Sequence, residues 1–283
     1  MEERFNEGDW ESICEAAQVL MNYGTSATSY LTSIFQTKEK DPVFRKMIAE
    51  IIAETGDNSA LPSLIQVLND LNDNAYIRAE AAITLGEIGG TGAYEALVAT
   101  LSDENAEVRS LAALGLGCLR DDRAVQPLLN LLSQDSSSRV RIRAIRALGD
   151  IKNREAEPSL IVLLSDEDRQ VQGGAIIVLG EWKSQGAVPS LIKIAKEDGH
   201  INRYSAIKSL GKIGGDQAVT VLIELLQDES LSTIIDAAEA LATIGDQRAV
   251  EPLIAAIQRI KESVTLKYLK EAYKKLTGQE YQE

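Results

Sequence analysis

Apolar residues along the chain fall into short blocks with the i, i+3, i+4 spacing of an amphipathic helix, and the blocks come in pairs. Leu128, Leu129, Leu131 and Leu132 exemplify the first member of a pair, as do Leu160, Ile161, Leu163 and Leu164. Pro62, Pro127, Pro158, Pro189 and Pro252 lie in its first turn, where a missing N–H breaks no intrahelical bond. Pro42 instead precedes a second helix. The second member ends in a recurring string, AAITLGEIGG, ALGLGCLRDD, AIRALGDIKN, AIIVLGEWKS, AIKSLGKIGG and AAEALATIGD. Its glycines are Gly86, Gly117, Gly149, Gly180 and Gly211, with Ala242 in the same column, so the steps are 31, 32, 31, 31 and 31 residues. Ala53 upstream and Thr277 downstream extend the column. This periodicity predicts an all-α chain of about nine helix-pair repeats, in which neighbours close one continuous core because a single pair cannot bury its own apolar face.

The expected organisation is one solenoid over 1–283. It has an N-terminal half-repeat or cap at 9–24, repeats at 25–57, 58–90, 91–122, 123–154, 155–184, 185–216 and 217–246, and a C-terminal capping repeat at 247–278. The last helix, Ser263 to Leu276, carries Lys267, Lys270, Lys274 and Lys275, a charged outer face suited to a cap.

Two polar columns accompany the second helices, six residues apart: Asp103 with Arg109, Asp135 with Arg141, and Asn72 with Arg78. Arg45 and Arg203 occupy the arginine column, whereas Gln172 and Ile234 break it. A short polar residue ahead of a helix caps free N–H groups and can meet the arginine of the adjacent repeat, so a ladder along the stack is expected. Repetition in unit after unit argues that Arg78, Asp103, Arg109, Asp135, Arg141 and Arg203 are structural and not catalytic.

Removing the core positions leaves a stripe on the second helices. In Val140 to Ile151, Val140, Ala144, Leu148 and Ile151 face inward, and Arg143, Arg146 and Asp150 face outward. The same frame gives one column of Glu80, Leu111, Arg143, Gly174, Ser205 and Asp236, and a second of Ile83, Leu114, Arg146, Ile177, Lys208 and Glu239. Leu111 and Leu114 beside Arg139, Arg143 and Arg146, followed by Gly174 and Ile177, predict an apolar and cationic patch across three units. It suits a partner protein that offers both apolar surface and carboxylates. The acidic ends of the stripe are Glu80, Asp236 and Glu239. Trp182, replacing an isoleucine of the repeat, is expected to fill a gap between repeats.

Composition narrows the chemistry. Lys plus Arg is 29 against 43 Asp plus Glu, a net charge of −14, which opposes a partner bound by neutralising phosphates. The one histidine, His200, follows Gly199 in a turn and reads as a surface residue; alone it supplies neither a metal site nor an acid–base dyad. Cys14 and Cys118 form no CxxC pair and are expected to be reduced and mostly buried. The acidic start, Met1 to Asp9, lacks the features of a signal peptide, no apolar run is long enough to span a bilayer, and a cytoplasmic protein is expected. No phosphate loop, GxSxG elbow or HExxH is present. Gly115 and Gly117 in a helix, and Gly89, Gly90 and Gly92 in a turn, read as packing and capping glycines. No catalytic residue, metal or cofactor is nominated.

The AV.PLI.LL, D....VR..A and ALG.IG pattern, seen in Ala124 to Leu132, Asp135 to Ala144 and Ala147 to Ile151, resembles the HEAT-like repeat family found in phycobilisome lyases and many other proteins. The resemblance covers roughly residues 9 to 278 and implies a right-handed α-α superhelix whose second helices line the concave side. It also implies two functions: a non-catalytic scaffold that binds another protein on that side, or, as the alternative, a bilin lyase subunit or phycobiliprotein chaperone. In the second, bilin propionates would pair with Arg143 and Arg146 while its rings lie on Leu111, Leu114 and Ile177. Hydroxylases of this type hold a metal with repeated His-Glu pairs, which a single histidine cannot supply.

Overall fold

The computed structural model describes residues 19–282 apart from 21 and 39, so most of the half-repeat expected at 9–24, and Cys14, lie outside the described residues. Among the described residues there are helices and turns and no strand, and the fold is an all-α solenoid of helix pairs. Contacts divide it after Ala156 into two compact units.

The first unit holds four pairs: α1 (Thr28–Phe35) with α2 (Pro42–Thr55), α3 (Leu61–Asn69) with α4 (Ala75–Ile88), α5 (Ala93–Thr100) with α6 (Ala106–Leu119), and α7 (Val125–Gln134) with α8 (Ser138–Ile151). The second unit holds four more: α9 (Glu157–Val162) with α10 (Arg169–Glu181), α11 (Val188–Lys196) with α12 (Arg203–Ile213), α13 (Asp216–Leu225) with α14 (Leu231–Ile244), and α15 (Val250–Arg259) with α16 (Ser263–Thr277). Pro42 is the first residue of α2 itself.

Short polar side chains start the second helices. Asp41 accepts from the Val43 and Phe44 amides, Asn74 from Tyr76, Asn105 from Glu107 and Val108, and Asp168 from Gln170 and Val171. Each satisfies amides that the first turn leaves without a carbonyl. Several first helices begin instead with a 3₁₀ turn capped by aspartate, as at Asp57, Asp121 and Asp246. The stops are left-handed residues, glycine at Gly56, Gly245 and Gly278, but Arg120 and Lys152 at the ends of α6 and α8.

One leucine column is contributed by the first helices, Leu64, Leu97, Leu128, Leu160, Leu191, Leu222 and Leu253, and another by the second, Leu85, Leu116, Leu148, Leu179, Leu210 and Leu241. All are buried, each contributing about 1.5–3 kcal/mol relative to exposure. Within each unit the second helices pack directly on one another, and the glycine column makes this possible. A Cβ on Gly86 would stand 2.3 Å from the Cα of Gly115; one on Gly117 would stand 2.8 Å from that of Ala147; one on Gly211, 2.9 Å from that of Ala240. Backbones this close admit no side chain between them. At Gly180 the neighbour is Ser209, whose hydroxyl donates to the Ile176 carbonyl at 3.0 Å.

Candidate functional site

The polar columns form ion pairs between successive repeats. Arg45 Nη1 and Nη2 each donate to an oxygen of Asp73 at 2.7 Å, and its Nε donates to the Phe35 carbonyl at 2.8 Å. Arg78 pairs with Asp103, Arg109 with Asp135 at 2.7 and 3.0 Å, and Arg203 with Asp228. The acid of the first rung is Asp73, not the neighbouring Asn72 expected from the spacing; Asn72 is exposed, and its amide donates to Asp70. Arg109 and Arg141 also donate to the carbonyls of Asp103 and Asp135, six residues earlier. The aspartates meanwhile accept amides of the loop that follows them, Asn105 on Asp103 and Ser137 on Asp135. With guanidinium and carboxylate both engaged, these groups hold repeats together.

The rung at Gln172 is different, and here His200 departs from the surface position expected of it. His200 is buried. Its Nδ1 accepts the Asn202 amide at 3.0 Å, as Asp228 accepts that of Ser230, so the imidazole stands in the aspartate's place. Its Nε2 lies 2.8 Å from Arg169 Nη1. Gln172, in the arginine's place, donates to the Leu164 carbonyl and accepts from the Asn202 side chain, both at 2.8 Å. The turn brings the ring back onto α10, a fold-back that the Gly199–His200 dipeptide does not disclose.

On the first unit's second-helix face, Leu111 and Leu114 of α6 are half-buried, Arg143 of α8 is half-buried and Arg146 is exposed. Neither Arg143 nor Arg146 makes an ion pair among the described residues. Arg139 is exposed but tied to Glu107 at 2.7 Å, which removes it from the free cations of the expected patch. Cys118 is exposed, not buried as expected, because it follows the inward-facing Gly117 by one position and points away from the core. Its thiol is pushed up by desolvation and by Glu87 and Asp150, against the opposing pull of Arg146 and Arg120. One helix further, desolvation raises the Glu80 carboxyl, Lys46 opposes the rise, and Glu50, Glu107 and Glu87 add to it. Glu80, expected at the acidic end of the exposed stripe, is instead buried against the neighbouring helices, so the exposed face passes from apolar on α6 to cationic on α8.

Gly174 and Ile177 belong to the second unit, so the expected patch is divided between two compact units. Gly174 is half-buried and Ile177 is 54% exposed on α10. Trp182 is buried at the end of α10. Two exposed apolar residues lie outside both columns, Ile201 in the turn ahead of α12 and Tyr204 in the first turn of α12. Tyr204 was marked only by being aromatic in a chain with 5% aromatic residues. Asp236 on α14 is raised to about 6 by desolvation and by Glu239 one turn on. Among the described residues no group of three or more His, Cys, Asp or Glu side chains could hold a metal, and no helix is long and apolar enough to cross a membrane.

No curated protein matches the sequence. Among solved structures, YibA of E. coli superposes with a TM-score of 0.65 at 19% identity, covering 93% of this chain and 95% of that one. Kap121p gives 0.69 at 12% identity, over 98% of this chain and 37% of the other. The complex of CpcE and CpcF of phycocyanin lyase from Nostoc sp. gives 0.49 at 20% identity, covering 88% of this chain and 94% of that one, too slight a likeness to argue from. These likenesses bear on fold alone. HEAT repeats match residues 71–136, 125–205 and 200–274, well over half of the chain, and with the stacked helix pairs this places the protein in the HEAT-repeat family.

Proposed function

We propose that the protein is a non-catalytic interaction scaffold, and that the second-helix face of its first unit binds a partner protein presenting apolar surface and carboxylates together. The observation that carries this reading is the pair Arg143 and Arg146. They are cations without counter-ions in a chain of net charge −14, beside the incompletely buried Leu111 and Leu114. Arg45, Arg78, Arg109 and Arg203 are spent on the ladder; these two are not. Apolar area flanked by unspent guanidinium groups is the composition of protein interfaces.

The test is affinity capture with the wild-type protein and with Arg143→Glu/Arg146→Glu. Loss of the main captured protein, with an unchanged melting temperature, supports the reading; unchanged capture overturns it. The same patch is compatible with an open-chain tetrapyrrole, its propionates on the two arginines. Mixing the protein with a bilin decides that alternative: an absorption band that shifts with wild type and not with the double variant favours it, and an unshifted band removes it.

A further inference from the structure

The second unit carries a second surface of opposite charge. Helices α12 and α14 pack closely through Gly211 and Ala240, and above that contact lie two adjoining clefts that share Tyr204 and Asp236. The smaller, of about 150 Å³, is walled by Tyr204, Lys208, Lys212, Asp236 and Glu239. The larger, of about 700 Å³, adds Asp198, Asp228 and Glu229 at its rim together with Ile201, which is 76% exposed.

The charges in these clefts do not balance. Arg203 is held by Asp198 at 2.9 Å and by Asp228, and Lys212 is paired with Glu181. Lys208 lies over the Tyr204 ring, 5.6 Å from its centroid, with its ammonium 3.5 Å from the Tyr204 hydroxyl. No cation is within ion-pair distance of Asp236, Glu239 or Glu229, and none of the three makes a hydrogen bond through its side chain among the described residues. Asp236 is half-buried, and desolvation together with Glu239 raises it to about 6. A carboxylate that has lost part of its hydration without gaining a counter-ion is relieved when a cation arrives. The exposed aromatic ring beside it favours a cation attached to an organic chain, and the exposed isoleucine favours one carried on a segment with apolar residues of its own.

We propose that this cleft is a docking site for a lysine- or arginine-bearing segment of a partner protein, whose cationic side chain enters between Tyr204 and the Asp236–Glu239 pair while an apolar neighbour rests on Ile201. Charge complementarity selects this occupant over an acidic or neutral one. It is independent of the Arg143–Arg146 face, which calls for carboxylates.

The experiment is fluorescence anisotropy with a short labelled peptide of alternating arginine and leucine, and a matched peptide with citrulline in place of arginine. The arginine peptide should bind, and the citrulline peptide should bind at least about tenfold more weakly. Asp236→Asn and Glu239→Gln should each weaken binding of the arginine peptide severalfold. Glu251→Gln, which removes an equal charge from an exposed first-helix position, should leave it unchanged. Lys208→Ala should tighten it by removing a like charge from the cleft. Equal binding of both peptides, no binding of either, equal effects of Asp236→Asn and Glu251→Gln, or weakening by Lys208→Ala would each overturn the proposal. So would competition by free spermine for which the peptide backbone adds nothing, because a small polyamine would then be the occupant. Melting curves of the variants establish that each is folded.

Discussion

The guanidinium of Arg45 and the carboxylate of Asp73 meet through two parallel hydrogen bonds of 2.7 Å, 28 residues apart in sequence, with side chains only 1% and 3% exposed. Of the rungs described above that join successive repeats this is the most enclosed, and Arg45 also reaches back to the Phe35 carbonyl of its own pair. Removing one partner would strand the other charge in the core. Arg45→Met should therefore cost about 3–5 kcal/mol in urea unfolding, whereas Arg45→Met combined with Asp73→Leu should recover much of that loss. If the double variant is as unstable as the single, the cost lies in lost packing and not in a stranded charge.

Acid and neutral pH should weaken the fold for different reasons. Burial alone would raise Asp73 and Asp135, but the Arg45 and Arg109 guanidinium groups and the amides of Asn74 and Ser137 hold both below 3.8. Their stabilisation is complete above the ordinary carboxylate range and is lost as pH falls through the lowered folded values. Asp236 has the opposite sign. Its folded value of about 6 lies above 3.8, so its favourable contribution is complete below 3.8 and is lost as pH rises through about 6. Thermal melts across pH should show a decline at the acid end and a smaller one between pH 4 and about 7 that Asp236→Asn abolishes. The gain for that variant at neutral pH should be of order 1 kcal/mol, well short of full linkage because half of the group faces water. A melting temperature unaffected by Asp236→Asn at neutral pH would contradict the assignment.

Gly86→Ala should be more damaging than a helical glycine substitution normally is. Alanine would gain about 0.5–1 kcal/mol of helix propensity, yet its methyl would stand 2.3 Å from the Gly115 Cα and 2.5 Å from the Gly115 carbonyl oxygen. Backbone on the far side cannot rotate away, so α4 and α6 must separate, and overpacking of this kind costs about 1–3 kcal/mol or more. Denaturant unfolding measures the net sign, and a stabilised variant would show that the helices part without cost.

His200 presents one lone pair to two donors. Nδ1 faces the Asn202 amide at 3.0 Å, and Nε2 faces the Arg169 Nη1 donor at 2.8 Å. His200→Asp would accept the same amide, as Asp228 does at the next rung, and would turn the Arg169 contact into an ion pair. The variant should be more stable than wild type at neutral pH by about 1 kcal/mol, while His200→Leu, which removes the acceptor, should be less stable. A destabilised aspartate variant would mean that ring volume, not hydrogen bonding, is what the site requires.

The repeat was legible because helix packing imposes a period on the chain itself. Leucines that recur at nearly constant steps, prolines confined to first turns and the glycine column determine helix pairs stacked on helix pairs, whatever the finer geometry. The arginine and aspartate columns likewise announced a ladder, since side chains repeated at one register must meet their neighbours at one register. Tertiary structure decided which polar groups are spent and which are left over. Arg139 and Arg143 look alike in sequence, but Glu107 on the preceding second helix ends within reach of only one of them. His200 reads as a turn residue until the turn folds its ring against Arg169, and Asp236 as an ordinary surface acid until α12 and α14 desolvate it without supplying a cation. Period is a property of the chain and survives in one dimension, whereas counter-ion pairing and burial depend on distances between separate helices.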